Sequence, residues 1–161
     1  MGERKPEQNS KEKPGPEFKR ILVAVDGSEN SERAARVAVD LAERWGSELT
    51  VFHVVPRVSH AFVPVRSTLL FHAYYSDQEK AALKWIDKVM SLAKSRGVEA
   101  KPDVRVAAPS VAEEIVRYAG KKNVDLIVVG TRGLGSFRKL LVGSVSSGVV
   151  AHAHCPVLVV R

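Results

Sequence analysis

Apolar positions along this chain follow two alternating rhythms. Short runs rich in β-branched residues, Ile21 to Val25, Leu49 to Val55, Val124 to Val129 and Pro156 to Val160, read as strands, the first a central one buried on both faces. Between them apolar residues recur at helical spacing and predict helices with one buried face. Ala34, Val37, Ala38, Leu41, Ala42 and Trp45 form the first such face. Ser28 or Ser31 can cap its start, and Gly46 suits the residue past its end. Ser76-x-x-Glu79 has the spacing of a capping box and opens a second helix over Ala82, Trp85, Ile86, Val89 and Ala93, ended by Gly97. Val98, Ala100, Val104 and Val106 predict a further strand, which Pro102 either weakens or marks as an edge. Ser110-x-x-Glu113 opens a third helix over Ala112, Ile115, Val116 and Ala119, and a fourth runs from Gly143 to about His152. Strands alternating with helices imply an α/β fold: an open five-stranded parallel sheet with right-handed crossovers and helices on both faces.

Two stretches fall outside this alternation. Residues 1–17 contain Lys, Glu, Pro, Gly, Asn and Gln, with no apolar residue between Met1 and Phe18, and predict a disordered tail before one domain at 18–161. Pro56 to Tyr75 reads as an irregular connection, long enough to suggest a functional or interface element.

The chemistry concentrates at Val124 to Ser147: a buried strand ending in Gly130, then Gly133 and Gly135, a basic apolar segment, and Gly143-Ser144 at a helix start. Strand, glycine turn and helix start suit a phosphate. The first helical turn presents unpaired N–H groups and the positive end of the macrodipole. Glycines let backbone approach an anion and adopt φ > 0, and Ser144 and Ser146 add hydroxyls. The chain has no Walker A sequence, and the dinucleotide pattern beginning at Gly133 fails because Arg138 occupies its third glycine position.

The spacing Gly130-x2-Gly133-x9-Gly143-Ser144 resembles the nucleotide-binding signature of the universal stress protein family. Ile21 to Ser31 resembles that family's opening stretch and His154 to Arg161 its last strand, so the resemblance covers roughly Arg20 to Arg161. It implies a Rossmann-like sheet of order 3-2-1-4-5, with Asp26 brought beside Gly130 at the switch point where ligands of open α/β sheets bind. It further implies that Ala24, Val25 and Asp26 face the adenosine of ATP and that the backbone of Val54 meets the adenine. Some members lack the glycines and do not bind ATP; this chain retains them, which places it with the ATP-binding subgroup.

Each residue has a plainer reading beside the functional one. Asp26 ends a buried strand, where it either binds a ribose or a phosphate-bound metal, or bonds its own turn. Thr131 and Arg132 lie between the first two glycines, and Arg132 meets phosphate or solvent with equal ease. Arg138 and Lys139 supply positive potential or only solvate a short segment. Gly143, Ser144, Val145 and Ser146 carry the strongest case. His152, His154 and Cys155 lack a second cluster at zinc spacing, and His53 reads as a packing or capping residue.

The expected ligand is ATP or AMP, with Mg²⁺ or Mn²⁺ carried by the phosphates and held by Asp26 alone. No Asp, Glu or His occurs from Gly130 to Ser147, so nothing there orients a nucleophile and any hydrolysis is slow. The main reading is a nucleotide-dependent stress regulator; a slow ATPase or phosphotransferase is the alternative. The apolar last strand, at the sheet edge in the implied order, predicts a homodimer, as the family resemblance also implies.

Composition changes this picture little. Hydrophobic residues at 45% and charged residues at 27% fit a globular domain. No apolar run reaches membrane-spanning length. The single cysteine is compatible with the reducing cytoplasm. The net charge of +7 permits phosphate or nucleic-acid binding, yet no nucleic-acid recognition motif accompanies it.

Overall fold

The structure, a computed structural model, describes residues 18–57, 68–133 and 142–161. The predicted tail, part of the 56–75 connection, and Arg138 and Lys139 lie outside those residues. Five strands, β1 (Arg20–Ala24), β2 (Glu48–Pro56), β3 (Ala100–Ala108), β4 (Leu126–Gly130) and β5 (Val157–Val160), form one parallel sheet in the order β3-β2-β1-β4-β5. The helices are α1 (Glu29–Trp45), α2 (Thr68–Ser95), α3 (Val111–Lys122) and α4 (Ser144–His152).

Side chains alternate across each strand, so the sheet feeds two cores. Ile21, Val23, Leu49 and Val51 face α1 and α2, whereas Leu22, Phe52 and Ile127 face α3 and α4. All seven are inaccessible to solvent. Truncating one of them to Ala should cost about 2–5 kcal/mol, because the lost contacts leave a cavity. Pro102 is tolerated because β3 lies at the sheet edge, where its missing N–H breaks only one side of the ladder.

The helix ends follow local chemistry. Ser28 caps α1 by accepting the Ser31 N–H, and Gly46, at φ 62, ends it in the left-handed region. Ser110 caps α3 by accepting the Glu113 N–H at 3.3 Å, as its capping-box spacing predicted.

Two expectations are corrected. The second helix begins at Thr68, so Ser76 and Glu79 lie inside it and form no capping box; the connection after β2 is correspondingly shorter. Residues three apart are neighbours within any helix, so the pattern alone does not mark a start. Trp45 is also 43% exposed, because it falls in the last turn of α1, where the Phe18 ring packs against it in a tilted contact at 4.8 Å.

Candidate functional site

Strands β1 and β4 are neighbours, with Ile21, Leu22 and Val23 paired to Leu126, Ile127 and Val128. Chain direction switches between them, since β2 continues on one side and β5 on the other. The crevice beyond their carboxyl ends therefore collects residues that are far apart in sequence. Asp26, Gly133 and Gly143 meet there.

The glycine segment is anchored from both sides. The Thr131 N–H donates to the Val160 carbonyl at 2.7 Å, and the Thr131 carbonyl accepts the Gly143 N–H at 2.7 Å. The Ser146 hydroxyl donates to the Gly130 carbonyl at 2.6 Å. Ser146 is buried, so this hydroxyl holds the loop in place instead of facing an incoming anion. The Ser28 hydroxyl reaches across to the Arg132 carbonyl at 3.3 Å. One serine thus caps α1 and ties its start to the glycine segment.

The glycines are needed for approach, not for backbone twist. Among the described residues the positive-φ glycines are Gly27, Gly46 and Gly97, and none of the three signature glycines in the crevice is among them. A Cβ on Gly130 would lie 2.8 Å from the Asn30 carbonyl carbon, inside the first turn of α1. A Cβ on Gly133 would overlap Oδ2 of Asp26. A Cβ on Gly143 would sit 3.3 Å from the Thr131 oxygen, tight but not forbidden.

Asp26 is half-buried, and its Oδ1 accepts the Ser28 N–H at 3.0 Å. This is the turn bond of the plainer sequence reading, and the other oxygen faces Gly133. Gly143 is the N-cap of α4 in extended geometry and provides no side-chain cap. The helix therefore starts with backbone N–H groups at Ser144, Val145 and Ser146 that no capping side chain takes, the arrangement that receives anions.

The other candidates divide between the two faces. Ala24 and Val54 belong to the α3/α4 side, whereas the Val25 side chain enters the α1/α2 core, so Val25 offers only backbone to the crevice. Its carbonyl accepts a bond from His53 Nδ1 at 2.6 Å, which fixes the proton on that nitrogen because a carbonyl cannot donate. His53 is buried and stands edge-on to Trp85, a packing role. Among the described residues no group of three His, Cys, Asp or Glu is placed to hold a metal. Among the described residues, no helix is long and apolar enough to cross a membrane.

A model of the universal stress protein family matches residues 17–161. A universal stress protein of Methanocaldococcus jannaschii is 35% identical over 145 residues, covering 89% of this chain and 82% of its own. The solved universal stress protein UspA of Lactobacillus plantarum superposes with a TM-score of 0.81 at 28% identity, over 91% of this chain and 100% of its own. One from Archaeoglobus fulgidus, solved in complex with dAMP, shares the fold at a TM-score of 0.62 and 24% identity, over 91% of this chain and 100% of its own.

Proposed function

The chain belongs to the universal stress protein family, and on that premise we propose that it binds an adenine nucleotide in the β1/β4 crevice and acts as a nucleotide-dependent stress-response regulator. The observation that carries this reading is the start of α4. Its N-cap is a glycine without a capping side chain, bonded to the Thr131 carbonyl and set beside Gly133. A polyphosphate satisfies those groups and the helix dipole together. ATP is favoured over AMP because its additional phosphates can span from the glycine turn to the α4 start. The Archaeoglobus protein's complex with dAMP makes an adenine nucleotide the natural first probe.

In this reading Ala24, Asp26 and Val54 line the adenosine end, with the backbone of Val25. Gly130, Thr131, Arg132, Gly133 and residues Gly143 to Ser146 surround the phosphates. Mg²⁺ or Mn²⁺ arrives with the phosphates and uses Asp26 as its one protein carboxylate, a pattern usual for Mg²⁺. Calorimetry with ATP and Mg²⁺ at near-physiological salt tests the proposal, and absence of binding there would overturn it. A slow ATPase remains the second reading, resting on the same carboxylate. Phosphate release by the purified protein, compared with Asp26→Ala, decides it. We also propose a cytoplasmic homodimer paired through β5, whose four residues are all partly exposed at the sheet edge.

A further inference from the structure

On the opposite face of the sheet from α3 and α4, a cavity of about 320 Å³ opens between α1 and α2. Its floor is apolar: Val25, Ala35 and Val89 are each buried. One wall is the Trp85 indole, and this wall is fixed. The ring lies so close to Gly27 that a Cβ there would overlap it, and Gly27 sits at φ +82, where side chains are disfavoured. The edge contact with His53, at 5.6 Å between ring centres, holds the indole from a second side. A preformed apolar pocket with an aromatic wall and a few polar groups at its rim is the usual form of a small-molecule site.

The rim supplies the charge. Lys88 pairs with Glu32 at 3.7 Å, which leaves that pair neutral. Arg36 also lines the opening and has no acidic partner among the described residues. The opening therefore carries one uncompensated positive charge above an apolar floor. A guanidinium matches a carboxylate in a two-bond fork and stays charged at all working pH values.

We propose that this cavity binds a small amphipathic monoanion, a carboxylate with an unbranched or aromatic apolar body. The body lies against Trp85 and Val89, and the carboxylate meets Arg36. This site lies on the α1/α2 side of the sheet and borders the proposed nucleotide crevice: Val25 and Gly27 line the cavity, and Asp26 between them stands in the crevice. The proposal stands or falls independently of ATP binding.

Decanoate, kept below its micelle concentration, is the probe. The chain has two tryptophans, so a full-length Trp45→Phe variant leaves Trp85 as the single tryptophan, excited at the red edge where tyrosine does not absorb. Decanoate should give saturable binding by calorimetry, and its terminally brominated form should quench Trp85 by contact. Arg36→Glu changes an exposed side chain, leaves the core intact, and should weaken binding at least tenfold. Decylammonium, with the same chain and opposite charge, should bind at least tenfold more weakly than decanoate. The proposal is overturned if decanoate does not saturate, if it binds without quenching Trp85, if Arg36→Glu binds as the parent does, or if decylammonium binds equally well. Repeating the titration with saturating ATP keeps the two sites distinct: unchanged decanoate affinity supports separate pockets, and competition places decanoate in the crevice and overturns the proposal.

Discussion

Gly133→Ala tests the proposed nucleotide site at its tightest point. The added methyl would overlap Oδ2 of Asp26 and lie 3.4 Å from its Cγ. The other carboxylate oxygen holds the Ser28 N–H at 3.0 Å. Asp26 has a short side chain, so the overlap is relieved by turning the carboxylate and not by displacing β1. Turning it breaks the Ser28 bond and moves the charge away from the position proposed to face the ribose or metal. One hydrogen bond to a charged group is worth about 1.5–3 kcal/mol. ATP affinity should therefore fall roughly tenfold to a little over a hundredfold. The melting temperature should fall by no more than several degrees, the cost of the lost Ser28 bond, because Gly133 is exposed and neither core is touched. The assay is a calorimetric ATP titration with Mg²⁺ at fixed salt, run beside a thermal melt. The same substitution in an Asp26→Ala background should cost far less, since its collision partner is gone, and the difference between backgrounds measures the coupling. Wild-type affinity for Gly133→Ala alone, or equal losses in both backgrounds, would refute the assignment of Asp26 to the site.

Gly130→Ala pushes a methyl against the Asn30 backbone, which cannot rotate away, so α1 must shift; overpacking of this kind costs about 1–3 kcal/mol, and unchanged urea stability would contradict it. Ser28→Ala and Ser110→Ala each remove a helix cap and should each lose about 1 kcal/mol. Only Ser28 also holds the Arg132 carbonyl, so only its variant should weaken ATP binding; equal effects on affinity would sink that distinction. Burial, and secondarily the nearby Asp125, push the Cys155 thiol up. Its neutral form is favoured in the folded chain, so this contribution is full below the ordinary thiol range and is lost as pH rises through the raised value. Iodoacetamide should accordingly label Cys155 more slowly in the native protein than in urea, and equal rates would count against it. Light scattering at tens of micromolar should give twice the chain mass if β5 pairs across a two-fold axis, and a monomer would exclude that pairing.

Much of this architecture was legible because the signals are local and repeated. Runs such as Leu49 to Val55 have β-branched residues facing two cores, and only a central strand tolerates that. Their predicted ends differ from the observed ones by a residue or two, the usual uncertainty at element ends. The strand order came from the family resemblance, since periodicity carries no information about neighbours. The start of α2 was not legible, because Ser76 and Glu79 present the same spacing inside a helix as at its cap. At the candidate site, the spacing of Gly130, Gly133 and Gly143 marked glycines whose surroundings are tertiary. What excludes a side chain is Asn30, Asp26 or Thr131, partners up to about a hundred positions away. The Ser28 bond to Arg132 and the burial of Ser146 likewise depend on tertiary neighbours that a single sequence does not display.

The Thr131–Gly143 hydrogen bond closes the backbone into a ring, and each of its two ends carries a further backbone bond. Thr131 is held by β5 through Val160, and Gly143 by the first turn of α4, whose Ser147 N–H it accepts. The separation of the strand end and the helix start is thus bridged by backbone bonds among described residues. Lengthening a closed chain costs little: doubling it adds only about 0.6 kcal/mol of closure entropy. By that measure alone, inserting residues between Gly133 and Gly143 would add little to the cost of closing the Thr131–Gly143 bond.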